Sequence, residues 1–434
     1  MTVVGKSVSC PEPSLEAERC LLALNSGSSS FKFGLYRIGP GTVECLLAGE
    51  TERIGATQSH TVATDAEGLT LLSEVSAVPD HRSAAARLWK LLDARRLPPP
   101  DAIGHRIVHG GPRLRDHHLI DASVLDELRA ASSFAPLHTP AAIAVIDYCA
   151  EHFPAVPQVA CLDTCFHASM PRVASTLPLP RELRTAGIQR YGFHGLSCES
   201  IVRQLADALP QRLIIAHLGN GASLTAVSGG VSIDTSMGLT PAGGVVMGTR
   251  SGDLDPGVLV YLMREMKLDH VAIETLINHR SGLLGLSGAS GDMRSLHTLA
   301  ASDGDARLAI EMFCYSVAKA LGAMTIVLGG ADMIVFTGGI GEHDVAVRAE
   351  ICARLSCQGV VLDDARNRLG SGLISPDAAR CKVMVLPSQE DEQIARHTWA
   401  LCRPGRDATP APVIDRLSEA SARLQDSANH RPRR

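Results

Sequence analysis

With 434 residues, 45% of them hydrophobic and 20% charged, the chain holds enough apolar material for two or three filled domains. A net charge of −5 and an aromatic share of 3% argue against nucleic-acid binding, which uses basic patches and stacking rings. Twelve cysteines without C-x-x-C spacing signal neither a zinc site nor a disulfide framework, no apolar run reaches the length of a membrane span, and free thiols fit a cytoplasmic protein.

Residues 1–19 lack the apolar core of a signal peptide and read as a disordered leader. The stretch 21–36 (LLALNSGSSSFKFGLY) then reads as strand, tight turn, strand. Its apolar run ends at Asn25, small residues follow, and alternation resumes with Phe31 and Phe33 on one face and Lys32 on the other. Small turn residues let backbone N–H groups point at a phosphate, while Asn25 offers an oxygen to a hydrated metal and Lys32 a positive charge. A merely solubilising hairpin remains the alternative for this stretch alone. It is not a P-loop, because no G-x-x-x-x-G-K-[ST] is present.

Residues 38–80 carry strand-like, polar segments with little chemical signal, and 83–92 reads as a helix ended by prolines at 98–100. A short strand in 101–111 (DAIGHRIVHGG) places Arg106 between His105 and His109. A helix over 123–131 opens with a Ser cap. The loop 134–140 (FAPLHTP) puts His138 just before a helix at 141–152, and the apolar strand 156–162 runs into Asp163.

A second block starts near Phe166, with His194 in the Gly-flanked loop 190–196 and three short strands in 213–234 joined by GNG and SGG turns. The segment 236–256 is too polar for a core strand and too long for an idle loop, and it carries Arg250. Helices follow at 256–267, 269–279 and 305–329, then a strand at 333–337, a glycine turn GGIGEH at 338–343, a helix at 344–356, a strand at 382–386 and a helix at 390–402. Beyond 402 the composition predicts a flexible tail, with a short amphipathic helix at 413–424. Both halves open with a glycine-turned hairpin and continue into strand–helix alternation, which predicts two related α/β modules facing each other.

Four glycine-bearing turns at strand ends point to a nucleotide held by backbone amides, against the bland alternative of ordinary turn chemistry. Taken singly, Arg106 and Arg250 are explained by surface salt bridges. Together with His138, His194 and the phosphate turns they fit an anionic pocket, because guanidinium grips carboxylates and offsets charge on a transferring phosphoryl group. Asp163, Asn25 and Glu390 are candidate metal-side oxygens, since magnesium needs only one or two protein carboxylates.

The motifs LNSGSSSFKF, HRIVHGG, FAPLHTPA, DTCFH, RYGFHGLS, HLGNGAS, SMGLTP…MGTRSGDLDPG, FTGGIGEH and PSQEDEQIA resemble those of acetate kinases, in the same order, over residues 20–400. The resemblance implies the two-domain α/β fold of actin-like ATPases and sugar kinases (the ASKHA superfamily), with the active site in the cleft. It implies an acyl-binding and phosphate domain at 20–163 plus 392–402, a nucleotide domain at 164–391, a leader and a tail outside them, and a homodimer. The implied reaction is reversible, in-line phosphoryl transfer from ATP to acetate, with magnesium or alternatively manganese, and with no nucleic-acid or membrane partner.

By the same resemblance, Arg106 would bind the carboxylate, while Arg250 and His194 would stabilise the phosphoryl group with His138 beside them. Asp163 would be the catalytic acid/base. Asn25 and Glu390 would hold the metal, and Lys32 would lie near the nucleotide phosphates. His217, Leu218, Gly219, Asn220, Gly221, Asp292, Met293, Arg294, Gly339, Ile340, Gly341, Glu342 and His343 would embrace the nucleotide, and Val108, Leu137, Phe193 and Pro241 would line the methyl pocket. A carboxylic acid acceptor is already ionised at pH 7, so Asp163 is expected to orient the arginines or metal-bound water instead of removing a proton. The chain departs from the family pattern at Cys198 (usually His), Ala242 and Gly243 (Leu-Glu), Ser388 and Gln389 (Thr-Asn), and His343 (Asn). The alternatives are a propionate or butyrate kinase, or a non-catalytic nucleotide switch of the same fold.

Overall fold

The computed structural model describes residues 18–136 and 138–403. Residues 1–17 of the expected leader, the expected tail helix at 413–424 and Leu137 lie outside the described residues. Arg19, expected in the leader, instead opens the first strand, pairs with Ile38 and donates to the Cys402 carbonyl at 2.6 Å.

Two sheets form the frame. The first contains β1 (Arg19–Ser26), β2 (Ser30–Gly39), β3 (Thr42–Glu52), β4 (Ser59–Asp65), β5 (Thr70–Ser76), β6 (Ala102–Ile107), β7 (His118–Leu119) and β8 (Gln158–Leu162), in the order β5-β4-β3-β2-β1-β6-β8-β7. The second contains β9 (Arg212–Leu218), β10 (Ala222–Ser228), β11 (Val231–Thr235), β12 (Met333–Thr337), β13 (Gly372–Leu373) and β14 (Lys382–Val385), in the order β11-β10-β9-β12-β14-β13. In each, an antiparallel hairpin is extended by two parallel strands, so β2-β1-β6-β8 matches β10-β9-β12-β14 in order and direction. Parallel interior strands are covered on both faces and therefore read as continuous apolar runs. Leu21 to Leu24 and Met333 to Phe336 are buried throughout.

Two local expectations change. The GGIGEH stretch is a short helix, Gly338–His343, instead of a turn: Gly338 takes a positive φ of 76° that lets the chain swing off β12, and the Glu342 carboxylate caps the Gly338 N–H at 2.9 Å. The helix expected from Ser123 is Ala122–Ala130, capped by Asp121, whose carboxylate accepts from the Val124 N–H at 2.8 Å. Residues 38–80 supply β3 to β5, three outer strands whose partly exposed faces blunt the apolar signal.

By length and mean hydropathy the helix Gly304–Leu328 could cross a membrane. One face of it, with Ala309, Phe313, Val317 and Leu321, is instead buried in the core of the second lobe. The last helix, Glu390–Leu401, packs on the first sheet, where Ile394 and Ala395 join Leu21, Ala23, Ala102, Val159 and Cys161. That contact is close because β6 has no side chain at Gly104: an added Cβ would meet Thr398 Oγ1 and would lie 2.6 Å from Ile394 Cγ2. Gly104→Val is therefore expected to lower unfolding free energy by about 1–3 kcal/mol through overpacking. Chemical denaturation reads this, and an unchanged midpoint would mean that the helix can retreat without loss.

Candidate active site

The strand ends of both sheets gather the polar residues. Asn25 is the penultimate residue of β1, Arg106 of β6 and His217 of β9, while Asp163 follows β8 and Gly338 follows β12. Ligands of open α/β sheets bind outside the carboxyl ends of parallel strands, where side chains leave the sheet without being covered. Alternation along β6 sends Arg106 to the opposite face from His105, whose ring is buried and bonded to Gln158 Oε1 at 2.7 Å.

Arg106 is the centre of the first group. Its Nε and Nη2 donate to Asp163 Oδ2 at 2.9 and 2.6 Å, and its Nη1 donates to Asn25 Oδ1 at 2.9 Å. Asn25 Nδ2 then donates to Glu390 Oε2 at 3.0 Å and to Asp391 Oδ1 at 3.3 Å. Burial opposes the charge on Arg106, but Asp163 and Glu390 outweigh it and hold the guanidinium protonated. Burial also lifts the Asp163 carboxyl to about 6, against the pull of Arg106. At Glu390 the balance reverses: burial pushes upward, yet Arg106 and His217 keep this carboxyl below its ordinary value. Burial raises Asp391 to about 6. At neutral pH three carboxylates face one paired arginine, and Asp163 Oδ1 is buried without a hydrogen-bond partner. Lys32, opposite Asn25 in register, pairs loosely with Glu50 at 3.9 Å.

The second group is built by loops. His194 precedes the helix Gly195–Leu205 in the left-handed region (φ 58°), a strained conformation for a non-glycine residue. Its Nδ1 lies 3.0 Å from Ser223 Oγ, and its ring stacks on His217 with centroids 4.2 Å apart. A side chain added at Gly221 would meet Arg250 Nη1 at 3.2 Å and His194 Nε2 at 3.3 Å, so these two groups converge over that turn. Burial, and then the neighbouring Arg106, push the Arg250 guanidinium down to about 10, which leaves it charged at pH 7. It donates to the Pro241 carbonyl at 3.2 Å, and among the described residues no carboxylate lies within ion-pair reach of it. His138 precedes the helix Thr139–His152; burial, then Arg250 and Arg106, drive its pKa down to about 3. Burial, then His217 and the two arginines, take His194 well below its ordinary value. Both rings are neutral at physiological pH.

The remaining expected residues divide. Leu218 and Met293 turn their side chains into the core, so only their backbones are available to a ligand. Gly219, Asn220 and Gly221 form the β9–β10 turn, and Gly339, Ile340, Gly341 and His343 belong to the helix Gly338–His343. Glu342 Oε1 accepts from Gly338 and Ser388 N–H, both at 2.9 Å, and so ties two strand ends together. Asp292 caps the helix Met293–Leu299 and pairs at 3.0 Å with Arg294, whose side chain is 91% exposed and is not drawn into the charged group. Val108 and Phe193 are buried in one apolar cluster, with Pro241 half-buried nearby in the Arg250 loop.

Several supporting residues have no sequence signal of their own. Ser223 orients His194, and Ser197 Oγ lies 2.8 Å from His217 Nδ1 and 3.1 Å from Ser388 Oγ. Arg190 Nη1 donates to the carbonyls of Thr235 and Ser236 at 2.8 and 3.1 Å, anchoring the start of the Arg250 loop. Cys198, one of the family departures, is buried behind His194 with its thiol 3.7 Å from Thr225 Oγ1.

Residues 20–396 match the profile of the acetokinase family. An acetate kinase of Rhodopseudomonas palustris is 42% identical over 402 residues, covering 89% of this chain and 99% of that one. A propionate kinase structure from Francisella tularensis superposes with a TM-score of 0.81 at 39% identity, covering 88% of this chain and all (100%) of that one. The Porphyromonas gingivalis acetate kinase structure follows at 0.78 and 34%, with 88% and 99% coverage.

The raised carboxyls make a pH prediction. A folded-state pKa above the unfolded value contributes stability that is present below the unfolded pKa and lost as pH rises through the folded one. Asp391 rises from 3.8 to about 6, so its charge costs stability above that pH. Asp391→Asn is expected to stabilise the fold by about 1–3 kcal/mol at pH 8 relative to the parent, with the gain vanishing at or below about pH 4. Urea midpoints of both proteins at the two pH values check it.

Proposed function

The chain belongs to the acetokinase family, and on that premise we propose that it transfers the γ-phosphoryl group of ATP reversibly to acetate, giving acetyl phosphate and ADP. The observation that carries the reading is the pair of part-buried, charged guanidiniums: Arg250 has no carboxylate partner among the described residues, and Arg106 has spare donors. Arginine carries five N–H groups. Three contacts, two to Asp163 and one to Asn25, leave about two for an incoming carboxylate.

Acetate arrives ionised, so no proton has to be removed and Asp163 serves as the counter-ion that holds Arg106. The obstacle is the repulsion between acetate and the phosphates. Arg106 takes the carboxylate, and Val108, Phe193 and Pro241 flank the methyl group. Arg250 meets the transferring group from the other side, with His194 and His138 as neutral hydrogen-bonding rings that add no charge of their own. The turn at Gly219–Gly221 and the helix Gly338–His343 offer backbone N–H groups to the nucleotide.

Magnesium, or manganese in its place, fits the residues present. Asp163 Oδ1 is orphaned, and Glu390 and Asp391 stand beside it as hard oxygen donors in surplus over Arg106. Glu390 would hold the ion, with Asn25 and Asp391 acting through its water. When bound, it would offset charge on the phosphates.

We assign residues 20–163 plus 392–402 to the acyl-binding lobe and 164–391 to the nucleotide lobe. Eleven free cysteines among the described residues, with ATP as co-substrate, support a cytoplasmic location. The helix Pro256–Glu265 buries none of its residues and exposes Val258, Val260, Tyr261 and Met263, a patch suited to a second copy of the chain in a homodimer. A second reading, a kinase for longer acids, draws on the small residues Ala242 and Gly243 beside Pro241 and on the likeness to a propionate kinase. A methylene in such a pocket is worth only about 1–3 kcal/mol.

A hydroxamate assay with ATP and acetate is expected to detect acetyl phosphate, and KM values across acetate, propionate and butyrate rank the acids. Absence of any acyl phosphate would favour the nucleotide switch. Arg106→Ala is expected to raise the acetate KM by about 10-fold or more, and an unchanged KM would remove it from the site. Tyr261→Asp should convert a dimer to a monomer in light scattering; a monomeric parent would exclude the homodimer.

A further inference from the structure

Behind the transfer site lies a second polar group. Glu199 sits on the helix Gly195–Leu205, five residues after His194. Its Oε2 is 2.5 Å from His397 Nε2, and its Oε1 is 3.7 Å from His117 Nε2. The two imidazoles pack with centroids 3.9 Å apart, and Gln393 Nε2 approaches His397 Nε2 at 3.0 Å. His117 Nδ1 accepts the N–H of Leu162 at 3.0 Å.

This His–Glu–His set has the donors of a divalent metal site, but the tautomer excludes it. An Nδ1 that accepts a backbone N–H has no proton, so in the neutral ring Nε2 carries it and cannot ligate. Nε2–H therefore faces Glu199 across 3.7 Å, beyond hydrogen-bond length, and His397 supplies the carboxylate's close donor. A mostly buried carboxylate without such donors would be costly. Burial pushes the Glu199 pKa upward, but His397 and His117 outweigh it and hold the carboxyl far below its usual range.

The cluster touches all three segments that carry the site, one of them through the Leu162 N–H that His117 accepts. Leu162 precedes Asp163, Glu199 shares a helix with Ser197 and follows His194, and His397 lies two turns along the helix that begins at Glu390. We propose that Glu199, bonded by His397 and faced by His117, is a positioning residue for phosphoryl transfer, locking the segments of Asp163, His194 and Glu390 into one register. The nucleotide turn at Gly219–Gly221 and the helix Gly338–His343 make no contact with the cluster among these bonds. Its loss misplaces the reacting groups more than it weakens nucleotide binding. A displacement near 1 Å is enough to cost about 100-fold in rate.

The proposal rests on the placement of Arg106, His194 and Glu390 in the transfer site, which Arg106→Ala tests separately. Kinetics of the full chain are compared for the parent, Glu199→Gln, His397→Leu and His397→Gln, each with its thermal midpoint. Gln keeps a donor where His397 Nε2 lies, whereas Leu removes it. The expected result is a kcat loss of about 10-fold or more in Glu199→Gln and His397→Leu, an ATP KM within about 3-fold of the parent, and recovery of most of the rate in His397→Gln. Parental kcat in Glu199→Gln and His397→Leu, or equal losses in the Leu and Gln variants, would overturn it. If His397→Leu does not fold, Glu199→Gln against the parent decides by the same kcat criterion. A rise in the parent's midpoint with Zn2+ that His397→Gln abolishes would make the cluster a metal site and overturn the positioning role.

Discussion

The chain of contacts from Asp163 through Arg106 and Asn25 to Glu390 is the constraint on which the rest of the structure depends. Each member is supplied by a different segment: the residue after β8, then β6, β1 and the last helix. A buried guanidinium with one partner removed would cost several kcal/mol, so none of these segments can drift independently. That explains why residues far apart in sequence pack with so little tolerance, down to the missing side chain at Gly104 under Ile394 and Thr398. It also explains why the last helix returns to the first lobe. Its apolar face fills the sheet's surface, while its N-terminal turn delivers Glu390 and Asp391 to Asn25.

Burial decides the protonation states, and these decide what each group can contribute. The same loss of water that raises Asp163 and Asp391 drives His138 and His194 to their neutral forms. Of these buried groups only Arg106 and Arg250 carry positive charge, and both resist deprotonation even when dry. Two neutral rings can still direct hydrogen bonds at a phosphoryl oxygen. They do so without adding to the repulsion between the arginines that already pushes Arg250 down.

What was legible in the sequence was whatever depends on local pattern. The hairpin around Asn25, the short strand of Arg106, the Pro-bounded loop of His138, the Gly-bounded loop of His194 and the order of buried strands all follow from alternation and turn chemistry. The doubling of the fold also showed, because each half repeats a glycine hairpin ahead of parallel strands. What did not show depends on which of several possible contacts forms. Asp121 outcompeted Ser123 as a cap by one turn's geometry, and GGIGEH became a helix because Glu342 reached back to Gly338. The Glu199 cluster joins positions 117, 199 and 397, and no spacing rule links residues so far apart.

The two arginines are held in unlike ways, and the difference suits the roles proposed for them. Arg106 rises from a central strand and is fixed by three hydrogen bonds to Asp163 and Asn25, so its orientation is set before any anion arrives. Arg250 hangs from a long glycine-rich loop and is tethered only by the Pro241 carbonyl and a weak contact to Met247 Sδ at 3.8 Å. A small carboxylate has one geometry to satisfy and suits a rigid fork. A phosphoryl group changes position between donor and acceptor, and a guanidinium on a loop can follow it while a strand-borne one cannot. The carbonyl of Pro241 would link the two proposed tasks, because a residue proposed to flank the methyl group also restrains Arg250.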